Sequence, residues 1–364
     1  MKKVITAVIA LVVVALMSLG FMDATRHHYD INKMPDAKGV IFSHLGDSYG
    51  WEVPFSHSTQ IPLPCIVRDI SGEWHVFSSA RVAHHESYEA APGVVFKIDE
   101  SELHHNRLVQ VEAQAGKDYR PLDFSITKDA LGIFIAAFVV ILMVFKVRNW
   151  YKRHDMKAPR RGTAFLEVVV DFVYSETIRP IMGREAPKYA PYLLTAFFFI
   201  LTMNLLGLIV IFPGGANLTG NLAVTLFMAL CTFLITNFTG TKEYWKEIFW
   251  PNVPVLLKFP VPLMPVIEMF GIFTKPFALM IRLFANMMGG HMVVIVFTML
   301  IFIFSAMYGW IAGAGTTVLS MALSLFMLLL DTLVSFIQAY VFTILSTMFI
   351  FMAHVHEDEP QTIE

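Results

Sequence analysis

Apolar and polar positions follow two different patterns along this chain. Over residues 21–128, short Val/Ile/Phe-rich runs at Gly39–Phe42, Ile61–Val67, Trp74–Phe77, Gly93–Ile98 and Leu108–Val111 are interrupted by turn formers, including Asp47–Gly50 and Ser71-Gly72. That pattern predicts a small, mostly β domain. Ahead of it, Lys2 and Lys3 precede an uncharged run from Val4 to Leu19, and Ser18 and Gly20 place small residues at a cleavage site. Residues 1–20 therefore read as a secretory signal peptide. The alternative is an uncleaved anchor helix, for which the run is short of the ~20 residues a span needs.

After residue 128 the pattern changes to long apolar stretches. Asp129–Val147 is the first span, Tyr192–Phe212 the second, ending at Pro213-Gly214-Gly215, and Asn221–Thr239 the third. Phe165–Tyr174 sets Glu167 and Asp171 against Phe165, Val168, Val169, Phe172 and Val173, which predicts an amphipathic helix lying along the inner interface. Two stretches remain, Pro262–Ser305 and Ala314–Ala353, separated by Gly309, Gly313 and Gly315. As a straight helix each is roughly 60 Å long at ~1.5 Å per residue, against a hydrocarbon core of ~30 Å. Each is thus two short spans or one tilted helix, and the absence of a strong central breaker favours the latter. The predicted architecture is an all-α polytopic membrane protein with five membrane-crossing helices. The last two are long, tilted and antiparallel, and an N-terminal, mostly β extracytoplasmic domain precedes them all. The membrane domain covers residues 129–355 and an acidic tail residues 356–364.

Charge distribution sets the topology. Hydrophobic residues make up 56% of the 364 and charged residues 15%, too few for an ordinary soluble enzyme. Residues 22–128 carry 10 positive and 15 negative charges, whereas residues 262–354 carry four: Glu268, Lys275, Arg282 and Asp331. The cationic stretch Lys146, Arg148, Lys152, Arg153, Lys157, Arg160 and Arg161, opposed by Asp155, marks a cytoplasmic loop and puts the preceding domain outside. The signal peptide requires the same orientation. Lys242, Lys246 and Lys258 with Tyr244, Trp245 and Trp250 fit the inner side, and so does the tail Glu357-Asp358-Glu359. A net charge of −2 offers nothing to nucleic acid. The two cysteines, Cys65 and Cys231, lie in different regions and exclude a disulfide scaffold or a cysteine-held metal cluster. Nine of the thirteen histidines lie in the β domain, including His27-His28, His84-His85 and His104-His105; they read as solvated loop residues or as metal ligands.

An ionisable residue within a spanning helix is a functional candidate because burying its charge is costly. Arg282 lies mid-stretch and stays protonated. At about 100° per residue, Ala278, Ala285 and Gly289 fall within about 60° of it and Asn286 about 40° away. Such a small-residue face suits close approach by another helix. His291 is about 180° round from Arg282, facing the neighbouring long helix. There Ser324, Asp331, Ser335 and Gln338 form one polar stripe, which requires water or a partner. His291 with Asp331 would make a proton-accepting pair in an aqueous half-pore. Glu268, ~21 Å before Arg282 and about 40° off its face, suits a separate path near the inner surface.

The run Pro276-Phe-Ala-Leu-Met-Ile-Arg282-Leu-Phe-Ala-Asn286-Met resembles the Arg-Leu-Phe-x-Asn-Met core of subunit a of the F-type ATP synthases. Asn204-Leu-Leu-Gly-Leu, Lys275-Pro276, Glu268 and Gln338-Ala-Tyr-Val-Phe342 match as well, so the resemblance spans roughly residues 125–355. It implies that Arg282 is the stator arginine facing a rotating ring of c subunits, with Asn286 and Gln338 its polar companions. It further implies that Glu268 serves the cytoplasmic half-channel. Many bacterial members have Glu at the position of His291 and His at that of Asp331, so base and acid are exchanged here. The implied partners are the c ring, the peripheral-stalk b subunits, the remaining ATP synthase subunits and membrane lipid, in a bacterial plasma (inner) membrane. No cofactor is implied, and Gly215 to Gly220 followed by Asn221-Leu222 lacks the Lys-Ser/Thr of a phosphate loop. The competing readings are a proton-coupled secondary transporter and an exported binding module anchored by helices. A transporter often shows internal repeats, which the chain lacks; aligned polar residues in nearly charge-free spans argue against a mere anchor.

Overall fold

The computed structural model describes residues 46–52, 60–82, 87–99, 107–112, 118–154, 162–209, 215–249, 263–308 and 310–354. The expected signal peptide, the Gly39–Phe42 strand, the three histidine pairs and the acidic tail lie outside the described residues.

Nine strands form three small antiparallel sheets among the described residues. β1 (Gly50–Glu52) pairs with β2 (Gln60–Pro62). β3 (Pro64–Arg68) lies between β4 (Trp74–Ser78) and β9 (Leu122–Asp123). β5 (Tyr88–Ala91), β6 (Val94–Asp99), β7 (Arg107–Glu112) and β8 (Asp118–Tyr119) follow in order. The stretch expected as one strand from Ile61 to Val67 is two, broken at Leu63. Pro62 and Pro64 flank that point, and neither has an N–H to continue a ladder. Alternation along β3 turns Cys65 and Val67 inward. They meet Tyr49, Phe77, Val82, Phe96 and Leu108 in a core where the Phe77 and Phe96 rings stack at 5.6 Å. The β3–β4 hairpin turns on Asp69. Its carboxylate accepts from Ser71 Oγ at 2.7 Å and from the Glu73 N–H at 2.8 Å, with His75 Nε2 at 3.2 Å. Gly72 supplies a φ of +94°, a conformation costly for other residues.

Helix α1 (Lys128–Arg153) starts where Thr127 Oγ1 accepts from the Ala130 N–H, with Asp129 in its first turn and Lys152 and Arg153 in its last. That charge order suits the helix dipole. α2 (Gly162–Val173) passes through a π-helical turn at Tyr174–Ile178 towards α3 (Ala186–Leu208). The predicted amphipathic helix therefore leads into the second span, and Gly162–Leu208 forms one candidate crossing. α4 (Leu222–Thr239) is capped by Asn221, whose side chain accepts from the Ala223 N–H. α5 (Lys242–Phe249) is short; α6 (Leu263–Tyr308) and α7 (Trp310–Met352) run for 46 and 43 residues. Five helical segments are thus long and apolar enough to cross a membrane, as the hydrophobic pattern predicts. Each long stretch is one helix, and α6 continues through Pro276.

Two compact units divide the described residues: Val294–Leu325, which comprises the distal parts of α6 and α7, and the remainder. In the remainder, Val173, Ile178, Leu193, Phe197, Ile200, Met203, Ala229, Leu279, Leu283 and Phe342 share one core. Trp51 of β1, 2% exposed, belongs to that core and not to the β domain's own. Two buried hydroxyls are satisfied within their own helix: Thr343 and Thr347 bond back to the Ala339 and Thr343 carbonyls. Tyr192, Thr232 and Ser346 link α3, α4 and α7 through hydroxyls at 2.8 and 3.2 Å.

Candidate proton-path site

Lys275 Nζ lies 5.8 Å from the Phe349 ring centroid, and Asp331 lies against Gly290. These two contacts pair α6 and α7 antiparallel. Only 6% of the apolar window of either helix is buried by this chain, against 39% for Gly162–Leu208. Among the described residues, most of the surface of the two long helices is thus uncovered.

Arg282 lies on that open surface. It is exposed and has no ion-pair partner among the described residues. Ala278, Ala285 and Gly289 are exposed with it, and a Cβ added at Gly289 or at Gly271 would meet nothing within 4 Å. The small face predicted around Arg282 is therefore not filled by the described helices. Asn286 is half-buried beside it.

On the β-domain side of Arg282, α3 and α7 close against α6. A Cβ on Gly290 would lie 2.7 Å from Asp331 Oδ1, so the carboxylate occupies space that only glycine leaves free. A Cβ on Gly207 of α3 would lie 2.5 Å from Met287 Cε and 3.5 Å from His291 Nε2. His291 is therefore directed at α3, not at α7 as its helical angle suggests. No hydrogen bond or ion pair joins it to Asp331 among the described residues. His291 Nε2 is buried without a hydrogen-bond partner. An imidazole nitrogen left unpaired in an apolar setting is costly unless water or a proton donor reaches it.

Sequence reasoning gave Asn204 only as part of a matching motif; its position is central. It is 1% exposed, its Oδ1 accepts from Thr219 Oγ1 at 2.7 Å, and its Nδ2 donates to the Ser335 carbonyl at 3.4 Å. It thus ties α3 to the turn before α4 and to the α7 polar stripe, one helical turn from Gly207. Ser335 and Gln338 are buried. Nearby, Thr177 in the π-helical turn donates to Tyr340 at 3.0 Å. A π turn often marks a functional position, and this one has no sequence signal of its own.

Nearer the β domain, Asn221 Nδ2 donates to Asp129 Oδ2 at 2.8 Å, joining α4 to the first turn of α1. Lys128 and Asp129 are both buried. On the opposite side of Arg282, a recess is lined by Thr232, Thr236 and Asn237 of α4, Tyr244 of α5, and Ile272, Lys275 and Pro276 of α6. Tyr244 donates to Asn237 Oδ1 at 3.4 Å, and Thr236 Oγ1 is buried without a partner. Burial, and after it the charge of half-buried Glu268, pushes the Tyr244 hydroxyl above its ordinary range. Two polar regions, one on each side of Arg282, are separated along α6 by the turn that carries it.

Among the described residues the one group able to hold a metal is Asp69, Glu73 and His75 in the β3–β4 turn. There the Asp69 carboxylate is already engaged by the turn's own donors.

The family profile for the ATP synthase A chain matches residues 131–351, more than half of the chain. The chain belongs to the F-type ATP synthase subunit a family. ATP synthase subunit a of Chloroherpeton thalassium is 39% identical over 242 residues, 65% of this chain and 68% of the relative. That of Myxococcus xanthus is 40% identical over 249 residues, 65% of this chain and 77% of the relative. That of Anaeromyxobacter sp. (strain Fw109-5) is 35% identical over 330 residues, 88% of this chain and 72% of the relative. Membership makes this a multi-pass membrane protein whose partners are other ATP synthase subunits. The third alignment covers 88% of the chain and so extends well beyond the helical part. Residues 40–124 match a family described only as a domain of unknown function.

Proposed function

We propose that this chain is the membrane stator through which protons drive rotation of a ring of c subunits. The supporting observation is the unpartnered, exposed Arg282 on a small-residue face, with polar regions on either side of it along α6. A proton enters from outside past Asn221 and Asp129 towards His291, Asp331 and Gln338, and neutralises a ring carboxyl. A neutral carboxyl can turn into lipid, whereas a charged one pays several kcal/mol, roughly 2.5–3.5 on insertion scales. After rotation the carboxyl meets Arg282, whose positive charge favours its ionised form. The proton then leaves through the inner recess near Glu268, Tyr244 and Lys275. Arg282, with Asn286 beside it, separates the two half-channels. Each charge moved gains about 2.3 kcal/mol per 100 mV, so several protons are needed per ATP.

In this reading the β domain lies outside a bacterial plasma membrane and the cationic end of α1 lies in the cytoplasm. The long helices tilt along the ring, and the b subunits hold the stator. Cysteines introduced at Ala278, Ala285 and Gly289 should cross-link to c-ring cysteines in the assembled complex, while cysteines on the buried positions Leu279 and Leu283 should not. Cross-linking from the buried set alone would refute the ring-facing assignment. A proton-coupled transporter is the competing class; it predicts proton movement by the isolated chain without any c ring.

A further inference from the structure

The β domain has no function assigned by its sequence, yet it is docked on the outer end of the helices by charged groups. Asp47 Oδ1 accepts from the Asp129 N–H at 3.1 Å, and Arg107 of β7 lies 3.7 Å from Asp47 Oδ2. The Ser48 carbonyl accepts from the Lys128 N–H at 2.9 Å. Trp51, three residues beyond, is buried in the helical core. Asp47 has a side-chain exposure of 10%. A domain held on by apolar contact alone would not need a nearly buried carboxylate at its base. The polar groups gathered here come from three parts of the chain: Asp47 and Arg107 from the β domain, Lys128 and Asp129 from α1, and Asn221 capping α4. Tyr49 donates to Asp123 and accepts from the N–H of Leu108, next in sequence to Arg107, at 3.2 Å. A Cβ on Gly132, one turn into α1 from Lys128, would lie 3.3 Å from Ala216, and one on Gly207 would lie 3.3 Å from the Ala216 carbonyl and 3.5 Å from His291 Nε2, a buried nitrogen without a partner among the described residues.

We propose that the β domain is a working part of proton uptake: its Asp47 and Arg107, held against Lys128, Asp129 and Asn221, form the mouth through which protons reach His291. This rests on the stator reading above and assigns the β domain a place in it. Asp47 acts as a positioning residue. It fixes the first turn of α1, and so the Asp129 carboxylate and the Lys128 charge. Arg107 balances the negative charge that would otherwise accumulate at the mouth.

The test uses the complete ATP synthase in proteoliposomes, reading ATP synthesis driven by an imposed proton gradient against the pH on the β-domain side. Asp47→Asn should lower the rate on the order of tenfold, as loss of a charge-assisted hydrogen bond does, and move the half-maximal rate to lower pH. Asp47→Glu should restore most of both. Asp69→Asn, in the β3–β4 turn of the same domain, should leave the profile unchanged. A wild-type rate and profile in Asp47→Asn overturns the proposal. Should that variant fail to assemble, Arg107→Gln decides: a shifted profile supports the mouth and an unchanged one overturns it. Arg282→Ala run alongside separates the two levels, since wild-type synthesis there would refute the stator reading itself, whatever Asp47 does.

Discussion

At the scale of single residues, the polar groups inside the helical unit are few, and each has a definable task. Asn204 is buried and bonded on both ends of its amide, so Asn204→Leu strands Thr219 Oγ1 and the Ser335 carbonyl. Such unsatisfied groups cost ~1–3 kcal/mol each. The variant should lower the thermal midpoint of the detergent-solubilised chain, whereas Asn204→Asp, which keeps the acceptor, should lower it less. Equal losses would remove the hydrogen bonds as the cause. In the β domain, burial pushes the Cys65 thiol up to about 12 and leaves it fully enclosed. Reactivity follows the thiolate, so Cys65 should resist maleimide at pH 8 in the native chain and label on unfolding, as mass spectrometry would report. Rapid native labelling would contradict this burial. Arg282, Glu268, Asn286, Asp331 and Gln338 are legible in the sequence because charge and amide groups are rare in apolar runs. The direction of His291 is not, because helical angle says which way a side chain leaves its own helix but not which neighbour stands there. Only the closeness of Gly207 on α3 decides that.

At the scale of elements, the spans follow from hydrophobic length, and so does the continuity of α6 and α7, each too long for one perpendicular crossing. The π turn at Tyr174–Ile178 and the merging of α2 into the second span were not legible, since they depend on packing of Thr177 and Phe172 against Tyr340. Adjacent glycines on α6 offer a direct check of the α6–α7 contact. A Cβ at Gly290 meets the Asp331 carboxylate, whereas one at Gly289 meets nothing within 4 Å. Gly290→Ala should therefore destabilise the solubilised chain by about 1–3 kcal/mol, the usual cost of overpacking, and Gly289→Ala should not. Denaturation of the two variants in the same detergent measures the difference. Equal stability of both would contradict the placement of Asp331 against α6.

At the scale of the whole molecule, a β domain with its own small core is joined to a helical unit through charged contacts at Asp47 and one buried tryptophan. Strand content was legible from Val/Ile/Phe runs, and the split at Leu63 from its flanking prolines once the pairing is known. The docking was not legible, because Asp47 and Asp129 are 82 positions apart and each reads as an ordinary polar residue. The β domain should also have its own acid limit. Burial would raise the Asp69 carboxyl, but hydrogen bonds from Ser71, His75 and the backbone of Glu73 and Gly72 hold it at about 2 against an ordinary 3.8. A depressed carboxyl stabilises the fold above its unfolded value and loses that contribution as pH falls through the folded one. The benefit should be complete above pH ~4 and vanish towards pH ~2, visible as a change in Trp74 fluorescence that Asp69→Asn shifts to higher pH. The central claim, however, concerns Arg282, an exposed charge with no ion-pair partner among the described residues. Its most direct test is ATP-driven proton pumping by reconstituted complexes carrying Arg282→Ala. The account predicts normal assembly with pumping reduced at least ~100-fold, as loss of a key electrostatic group implies; an assembled variant that pumps at the wild-type rate would contradict it.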